Sequence, residues 1–123
     1  MSEKKKILIV DDEENILLLL RDNLIFEGYD VSEARDGMEA LDKVDEVKPD
    51  LILLDIGLPK LDGWGVCQRL KNNPNTKDIP LIILSARAQD EDVQRGQQYG
   101  ANGYLRKPCN PREFINKIKE NLQ

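Results

Sequence analysis

Polar side chains that could do chemistry follow the short apolar runs of this sequence. Asp11 and Asp12 come directly after the first run, Asp55 after the second, and Ser85 after the third. Lys107 follows a shorter run late in the chain. If these runs are parallel β-strands, their carboxyl ends meet at one edge of the sheet, where ligands bind in open α/β folds. We therefore expect these five residues to converge on one site.

The chemistry open to such a site is limited by composition. The chain has no histidine, which excludes Ser-His-Asp triads, imidazole bases and histidine-containing zinc sites. Carboxylates crowded into one cleft repel each other, and such clusters usually persist because a divalent cation compensates their charge. An oxygen-only donor set selects a hard ion, and Mg²⁺ is favoured because it leaves positions for phosphoryl oxygens. A carboxylate beside it can attack phosphorus to give an acyl phosphate, with Lys107 and Ser85 contacting the phosphoryl oxygens.

These residues also have ordinary structural interpretations. Asp11 or Asp12 can cap the first helix, Ser85 can cap the fourth, and Lys107 can be a solvated surface charge. Asp55 is harder to explain in this way, because it directly follows an unbroken apolar run at the end of a predicted central strand. The sequence therefore points to Asp55 more strongly than to any other single residue.

Short β-rich runs alternate with longer helical patterns. Apolar runs predict three central strands at 6–10, 51–54 and 81–84, and edge strands are predicted at 29–33 and 103–106. Helices are predicted at 13–27, 65–71 and 89–98, between a cap at Asp36 and Pro49, and from Asn110-Pro111 onward. Short connections between alternating elements require right-handed crossovers. The predicted fold class is therefore α/β, a doubly wound five-stranded parallel sheet with helices on both faces.

Length and charge narrow the class of protein. The 123 residues suit one domain, residues 1–123. The formal net charge is -5, so direct nucleic-acid binding is not expected. Cys67 and Cys109 match neither a CxxC pair nor a disulfide framework. No apolar stretch approaches the ~20 residues that span a bilayer. We therefore expect a cytoplasmic protein without membrane contact.

Several stretches of the chain carry a resemblance to a known family. They are residues 6–12 (KILIVDD), 49–59 (PDLILLDIGLP), 62–63 (DG), 84–86 (LSA) and 103–108 (GYLRKP). In their order and spacing they resemble the motifs of bacterial response-regulator receiver domains, and the resemblance covers essentially the whole chain. It implies the flavodoxin-like strand order 2-1-3-4-5. It also implies a signalling role as the phospho-acceptor of a two-component phosphorelay.

The resemblance implies roles for the matching residues. Asp55 would accept a phosphoryl group from the phosphohistidine of a sensor histidine kinase or phosphotransfer protein. Asp11, Asp12 and Asp55 would hold Mg²⁺, and the backbone carbonyl of Gly57 would complete the protein ligands. Lys107, whose bond to the following proline is typically cis in this family, would pair with the phosphoryl group. The domain would thus catalyse its own phosphorylation and dephosphorylation.

The resemblance also implies a switch and a control on its lifetime. Ser85 and Tyr104 resemble a switch pair, in which the hydroxyl turns toward the phosphoryl group and the ring follows it inward. That movement would change the surface of the last helix-strand-helix unit and so control a downstream protein partner, with the domain a monomer or a phosphorylation-dependent dimer. Gly57 and Arg87 flank the path of the hydrolytic water in similar domains, and we hypothesise that they set the lifetime of the phosphoryl group.

Two other classes of function remain open at this stage. The first is a phosphatase or phosphomutase that uses Asp55 as nucleophile. Enzymes of this kind that resemble haloacid dehalogenases need a second aspartate two residues on, where this chain has Gly57. The second is a flavodoxin-like cofactor-binding protein, which needs a phosphate-cradling loop after the first strand. The acidic run at 11–14 would repel phosphate there.

Overall fold

The computed structural model describes residues 4–57, 63–85, 98–107 and 109–122. These residues contain five strands: β1 (Lys6–Val10), β2 (Asp30–Ala34), β3 (Leu51–Asp55), β4 (Leu81–Ser85) and β5 (Gly103–Arg106). They also contain four helices: α1 (Glu14–Phe26), α2 (Gly37–Val47), α3 (Gly63–Lys71) and α4 (Pro111–Leu122). The helix predicted near 89–98 falls almost entirely outside the described residues.

The strands form one parallel sheet in the order β2-β1-β3-β4-β5. The central strands β1, β3 and β4 are almost completely buried, as their unbroken apolar runs predicted. The predicted fold class and strand order are both confirmed. In the described part of the chain, no helix has the length and apolar character needed to cross a membrane.

Alternate residues of the central strands supply two separate cores, one on each face of the sheet. On one face, Leu8, Ile52 and Ile83 pack with apolar residues of α2 and α3. On the other, Ile9 and Leu53 pack with apolar residues of α1 and α4. Because successive side chains of a strand point to opposite faces, a continuous apolar run supplies both cores. Helices therefore cover both faces, as predicted.

The helix ends follow the predicted signals, except that α3 begins at Gly63, two residues before the predicted start. Asp36 Oδ1 accepts the Glu39 N–H at 2.8 Å, and Asn110 Oδ1 accepts the Glu113 N–H at 2.9 Å, so both predicted caps are confirmed. Helix α2 ends at Val47, its C-cap Lys48 has φ 53°, and Pro49 follows directly, as predicted. A left-handed residue at a helix end turns the chain away, and the proline comes after that turn.

The register of the sheet determines which side chains meet at its carboxyl edge. Val10 lies opposite Leu54 in the pairing of β1 with β3. Asp11 therefore leaves β1 beside Asp55, the last residue of β3. The two carboxylates that the sequence places at successive strand ends are thus neighbours because the strands pair without a slip.

Candidate functional site

Four acidic side chains gather at the carboxyl edge of the sheet. Asp11, Asp12, Glu13 and Asp55 each direct one carboxylate oxygen to within 4.8 Å of the others. Asp11 is completely buried and Asp55 is 6% exposed, whereas Asp12 and Glu13 are exposed. Three of these residues were predicted from the sequence. Glu13 was not, and the signal for it was its place in the unbroken acidic run at 11–14.

Lys107 lies among these carboxylates. Its ammonium nitrogen is 2.6 Å from Asp11 Oδ2, 3.2 Å from Asp55 Oδ2 and 3.3 Å from Glu13 Oε1. The Lys107 side chain is only 10% exposed, so it is not the solvated surface charge that the ordinary interpretation required. The chain reaches this position because β5 ends one residue earlier, and the Lys107 N–H donates to the Ser85 carbonyl at 2.7 Å.

Backbone N–H groups orient the two buried carboxylates. The Glu13 N–H donates to Asp11 Oδ1 at 3.0 Å, and the Gly57 N–H donates to Asp55 Oδ1 at 3.1 Å. The N-cap of α1 is Glu13, whose own side chain makes no capping hydrogen bond. Asp11 therefore supports the start of the helix and still directs its other oxygen into the cluster. In both residues one carboxylate oxygen is held, which leaves Oδ2 facing Lys107.

Burial and neighbouring charges shift the pKa of Asp11 in opposite directions, and the same is true of Lys107. Burial raises the pKa of the Asp11 carboxyl, and the contacts with Lys107 and with the Glu13 N–H offset the rise only in part. Burial by itself would lower the pKa of Lys107, but the contacts with Asp11 and Asp55 outweigh it and raise that pKa. Lys107 therefore stays protonated, and the cluster retains more negative than positive charge.

The site has the donor chemistry of a hard divalent cation. Asp11 Oδ2 belongs to a completely buried side chain, and its partner among the described residues is the Lys107 ammonium at 2.6 Å. Its neighbours in the cluster are carboxylate oxygens only, and oxygen donors without nitrogen or sulfur suit Mg²⁺. A cation bound there would compensate carboxylate charge that the single Lys107 ammonium leaves, so the residues present fit the group.

The predicted switch residues lie in the neighbouring strands β4 and β5. Ser85 ends β4 and is 3% exposed, and the half-buried Tyr104 lies in β5 opposite Ile83. Since Ile83 and Ser85 are two residues apart in one strand, Tyr104 and Ser85 lie on the same face of the sheet. Two other predicted features, Arg87 and the peptide bond to Pro108, lie outside the described residues.

Comparison with known proteins agrees with this geometry. A family model described as the response regulator receiver domain matches residues 7–119. This chain belongs to that family. As a receiver domain it is a signalling module of two-component systems, and the match favours this class over an Asp-nucleophile phosphatase or phosphomutase.

Curated relatives of the receiver domain include two longer transcriptional regulators. The chain is 47% identical over 119 residues to the alkaline phosphatase synthesis transcriptional regulatory protein PhoP of Bacillus subtilis, a match covering 97% of this chain and 49% of PhoP. It is 42% identical over 101 residues to the DNA-binding dual master transcriptional regulator RpaA of Synechocystis, covering 82% of this chain and 42% of RpaA. The chain thus spans about half the length of these relatives, or less.

Solved structures extend the likeness across the whole receiver domain. The chemotaxis response regulator CheY4 of Vibrio cholerae superimposes with a TM-score of 0.92 at 31% identity, covering 98% of this chain and 100% of CheY4. The receiver domain of the sensor histidine kinase PA1611 of Pseudomonas aeruginosa has a TM-score of 0.89 at 29% identity, covering 98% of each chain. In that neighbour a magnesium ion is coordinated in the active site cleft.

Proposed function

We propose that this receiver domain accepts a phosphoryl group on Asp55 from the phosphohistidine of a sensor histidine kinase or a phosphotransfer protein. The observation that carries the proposal is the buried Asp55 carboxylate, held 3.2 Å from Lys107 within a cluster of acidic oxygens. A carboxylate with a purely structural role would not be expected to lie buried beside three other acidic side chains. The family of the chain and the position of Asp55 at the end of a central strand support the same role.

In the proposed reaction an Asp55 carboxylate oxygen forms a bond to phosphorus as the bond between phosphorus and the donor imidazole breaks. The imidazole keeps the electron pair of that bond, and Asp55 becomes an acyl phosphate. The Gly57 N–H, at 3.1 Å from Asp55 Oδ1, holds the carboxylate in one orientation during the approach. This orientation lowers the entropic part of the barrier, which is the usual contribution of a positioned nucleophile.

Charge is the main obstacle to this transfer, because a carboxylate must approach an anionic phosphoryl group. We propose that Asp11, Asp12 and Asp55, with the carbonyl of Gly57, hold Mg²⁺. When bound, Mg²⁺ would neutralise the charge that develops on the phosphoryl oxygens. Lys107 supplies a second positive charge from within the site. Its ammonium, now 3.2 Å from Asp55 Oδ2, has only a short distance to move to pair with a phosphoryl oxygen.

The output follows from the charge that the reaction adds. A phosphoryl group brings about -1.5 to -2 charges at neutral pH, which favours the conformer that brings Ser85 and Lys107 closest to Asp55. We propose that Tyr104 follows Ser85 on the shared face of the sheet. The surface of β5 and α4 would then change and control a downstream protein partner.

Four further predictions stay predictions. They are a cytoplasmic location, a single domain over residues 1–123, no direct nucleic-acid contact, and a monomer or phosphorylation-dependent dimer.

Incubation with acetyl phosphate and Mg²⁺ tests this function. Intact-mass measurement should show an adduct of about 80 Da that hydroxylamine removes, as expected of an acyl phosphate. Asp55→Asn should abolish the adduct. Asp42→Asn, which alters an exposed carboxylate on α2, should retain it. Modification that persists in Asp55→Asn, or that forms equally well in EDTA, would contradict the proposal.

A further inference from the structure

Lys107 is shared by three carboxylates that differ in their exposure. Asp11 and Asp55 are buried at the base of the site, whereas the Glu13 side chain is 61% exposed at its rim. Glu13 Oε1 accepts a hydrogen bond from the Lys107 ammonium at 3.3 Å. The two buried partners belong to the proposed magnesium site, and Glu13 is the contact that lies toward solvent.

The Lys107 ammonium and a divalent cation need the same oxygens. The ammonium lies 2.6 Å from Asp11 Oδ2, a buried oxygen that a cation at this site would also need. A cation seated on Asp11 and Asp55 would be within a few ångströms of the ammonium, and like charges at such separations repel strongly in a partly buried site. Binding of the cation therefore requires the ammonium to move away from Asp11.

Glu13 is placed to bind the Lys107 ammonium when it moves away from Asp11. The Glu13 N–H donates to Asp11 Oδ1 at 3.0 Å, which holds the backbone of Glu13 at the edge of the cluster. Its side chain already contacts the ammonium from the solvent side. A small shift toward the rim would let Lys107 exchange Asp11 for Glu13 without losing a carboxylate partner, so the exchange would leave no buried charge unpaired.

We propose that Glu13 is a positioning residue, which holds the Lys107 ammonium at the rim while a divalent cation occupies Asp11 and Asp55, and thereby strengthens cation binding. This inference rests on the magnesium site of the proposed function. It adds to that function a residue that acts on the cation through Lys107 and not as a ligand.

Calorimetric titration with MgCl₂ at neutral pH, without any phosphodonor, tests the proposal. Glu13→Gln should weaken Mg²⁺ binding about fivefold, a size typical of coupling between residues in one ionic network. Lys107→Met should strengthen binding, because the competing cation is gone. In the Lys107→Met background, Glu13→Gln should change the affinity less than about twofold, since Glu13 then has no ammonium to hold.

Two further variants test whether Glu13 acts by holding the Lys107 ammonium or only through its negative charge. Glu14→Gln removes the same charge from the next residue, whose carboxylate pairs with Arg35 away from the site. It should change the affinity by less than about twofold, because exposed charges are well screened. Glu13→Asp keeps the charge but shortens the side chain, so it should weaken binding as Glu13→Gln does. Thermal unfolding without metal should show that all variants fold.

The outcomes distinguish this inference from the proposed function. An equal effect of Glu13→Gln with and without Lys107 would overturn the inference, because Glu13 would then act as a ligand or as plain charge. A Glu13→Asp protein that binds Mg²⁺ as tightly as the unaltered chain would overturn it as well. If the unaltered chain itself binds no Mg²⁺, the magnesium part of the proposed function fails. If the unaltered chain binds Mg²⁺ and Glu13→Gln changes nothing, only the inference fails.

Discussion

The Gly63 N–H donates a 3.1 Å hydrogen bond to the carbonyl oxygen of Ile56, the residue that follows the proposed phospho-acceptor. This bond places the first residue of α3 directly on the loop after β3. The approach is so close that a Cβ at position 63 would overlap the backbone of Ile56 and lie 2.5 Å from the Asp55 carbonyl oxygen. Helix α3 therefore holds the acceptor loop in place through a contact that only glycine permits.

We expect Gly63→Ala to lower the free energy of unfolding by about 1–3 kcal/mol, because the backbone atoms it meets cannot rotate away as a side chain could. Urea denaturation measures the loss. Gly57→Ala is the matched control, since a Cβ at position 57 would meet only Asp55 Oδ1, at an ordinary 3.7 Å among the described residues. Equal losses in the two variants would contradict the role assigned to Gly63.

Asp11→Asn should stabilise the metal-free protein at pH 7. Burial raises the pKa of Asp11 in the folded state above its unfolded value. The stability contributed by this group is therefore fully present below the unfolded pKa of about 3.9 and lost as the pH rises through the raised folded value. Burial thus disfavours the charged form of Asp11 in the folded protein, and Lys107 keeps Asp55 and Glu13 as partners when Asp11 is replaced.

The expected gain is on the order of 1 kcal/mol in the free energy of unfolding, measured by urea denaturation in EDTA. The same variant should lose the stabilisation that Mg²⁺ gives the unaltered chain, because ligand binding stabilises only a folded state that binds it. Asp42→Asn serves as the control and should respond to Mg²⁺ normally. A variant that is less stable than the unaltered chain in EDTA would contradict the prediction.

Lys71 ties the end of α3 to two later segments. Its ammonium donates to the carbonyl oxygens of Lys77 and Ile79, both at 3.1 Å, and to Asn102 Oδ1 at 3.2 Å. Lys71→Met should lower the free energy of unfolding by about 1–3 kcal/mol, because it removes the ammonium donor from these acceptors, of which only Asn102 Oδ1 keeps another donor among the described residues, the Leu81 N–H at 3.0 Å. Lys43→Met removes a 3.9 Å surface pair on α2 and should cost less than about 1 kcal/mol. Phosphorylation by acetyl phosphate should persist in both variants, and its loss in Lys71→Met would show that the effect is not confined to stability.

Cys67 should be protected from alkylation in the folded protein. Its side chain is completely buried, and its Sγ donates to the Tyr99 carbonyl oxygen at 3.4 Å. Burial also raises the pKa of this thiol. Its contribution to stability is therefore full below the unfolded pKa of about 8.5 and is lost as the pH rises through the folded value.

Iodoacetamide at neutral pH should accordingly label the half-buried Cys109 faster than Cys67, as peptide mass mapping would show. In concentrated urea the two thiols should react at similar rates, which serves as the control. Cys67→Ala should flatten the fall in stability at alkaline pH. Rapid labelling of Cys67 under native conditions would contradict its place in the core.

Position 57 should control the lifetime of the phosphoryl group. A Cβ there would lie in ordinary contact with Asp55 Oδ1, so a side chain fits without displacing the loop. Gly57→Leu should slow autodephosphorylation a few-fold, because an apolar side chain beside the acyl phosphate excludes water. Loss of the adduct with time, followed by intact mass, measures the rate. The hypothesis that residues 57 and 87 set this rate fails if Gly57→Asn and Arg87→Ala both leave it unchanged.

Strand positions, fold class and the acidic residues of the site were predictable from local pattern. An unbroken apolar run such as 51–54 has few alternatives to a strand buried on both faces, and the acid that follows it must lie at the end of that strand. The role of Glu13 was not predictable, because its exposed position and its place in an acidic run are typical of solvated charges. The left-handed conformation of Lys48, just before the predicted stop at Pro49, was not predictable, because lysine gives no strong signal for it.

The sequence by itself determined which kinds of side chain stand at the carboxyl ends of the strands, because the spacing of apolar residues sets where each strand stops. It also determined the family, through motifs that recur in order along the chain. Only the tertiary structure decided that the Lys107 ammonium is shared by Asp11, Asp55 and Glu13. That arrangement depends on strand register and on how far each carboxylate is buried, which are properties of packing between distant parts of the chain and leave no local pattern.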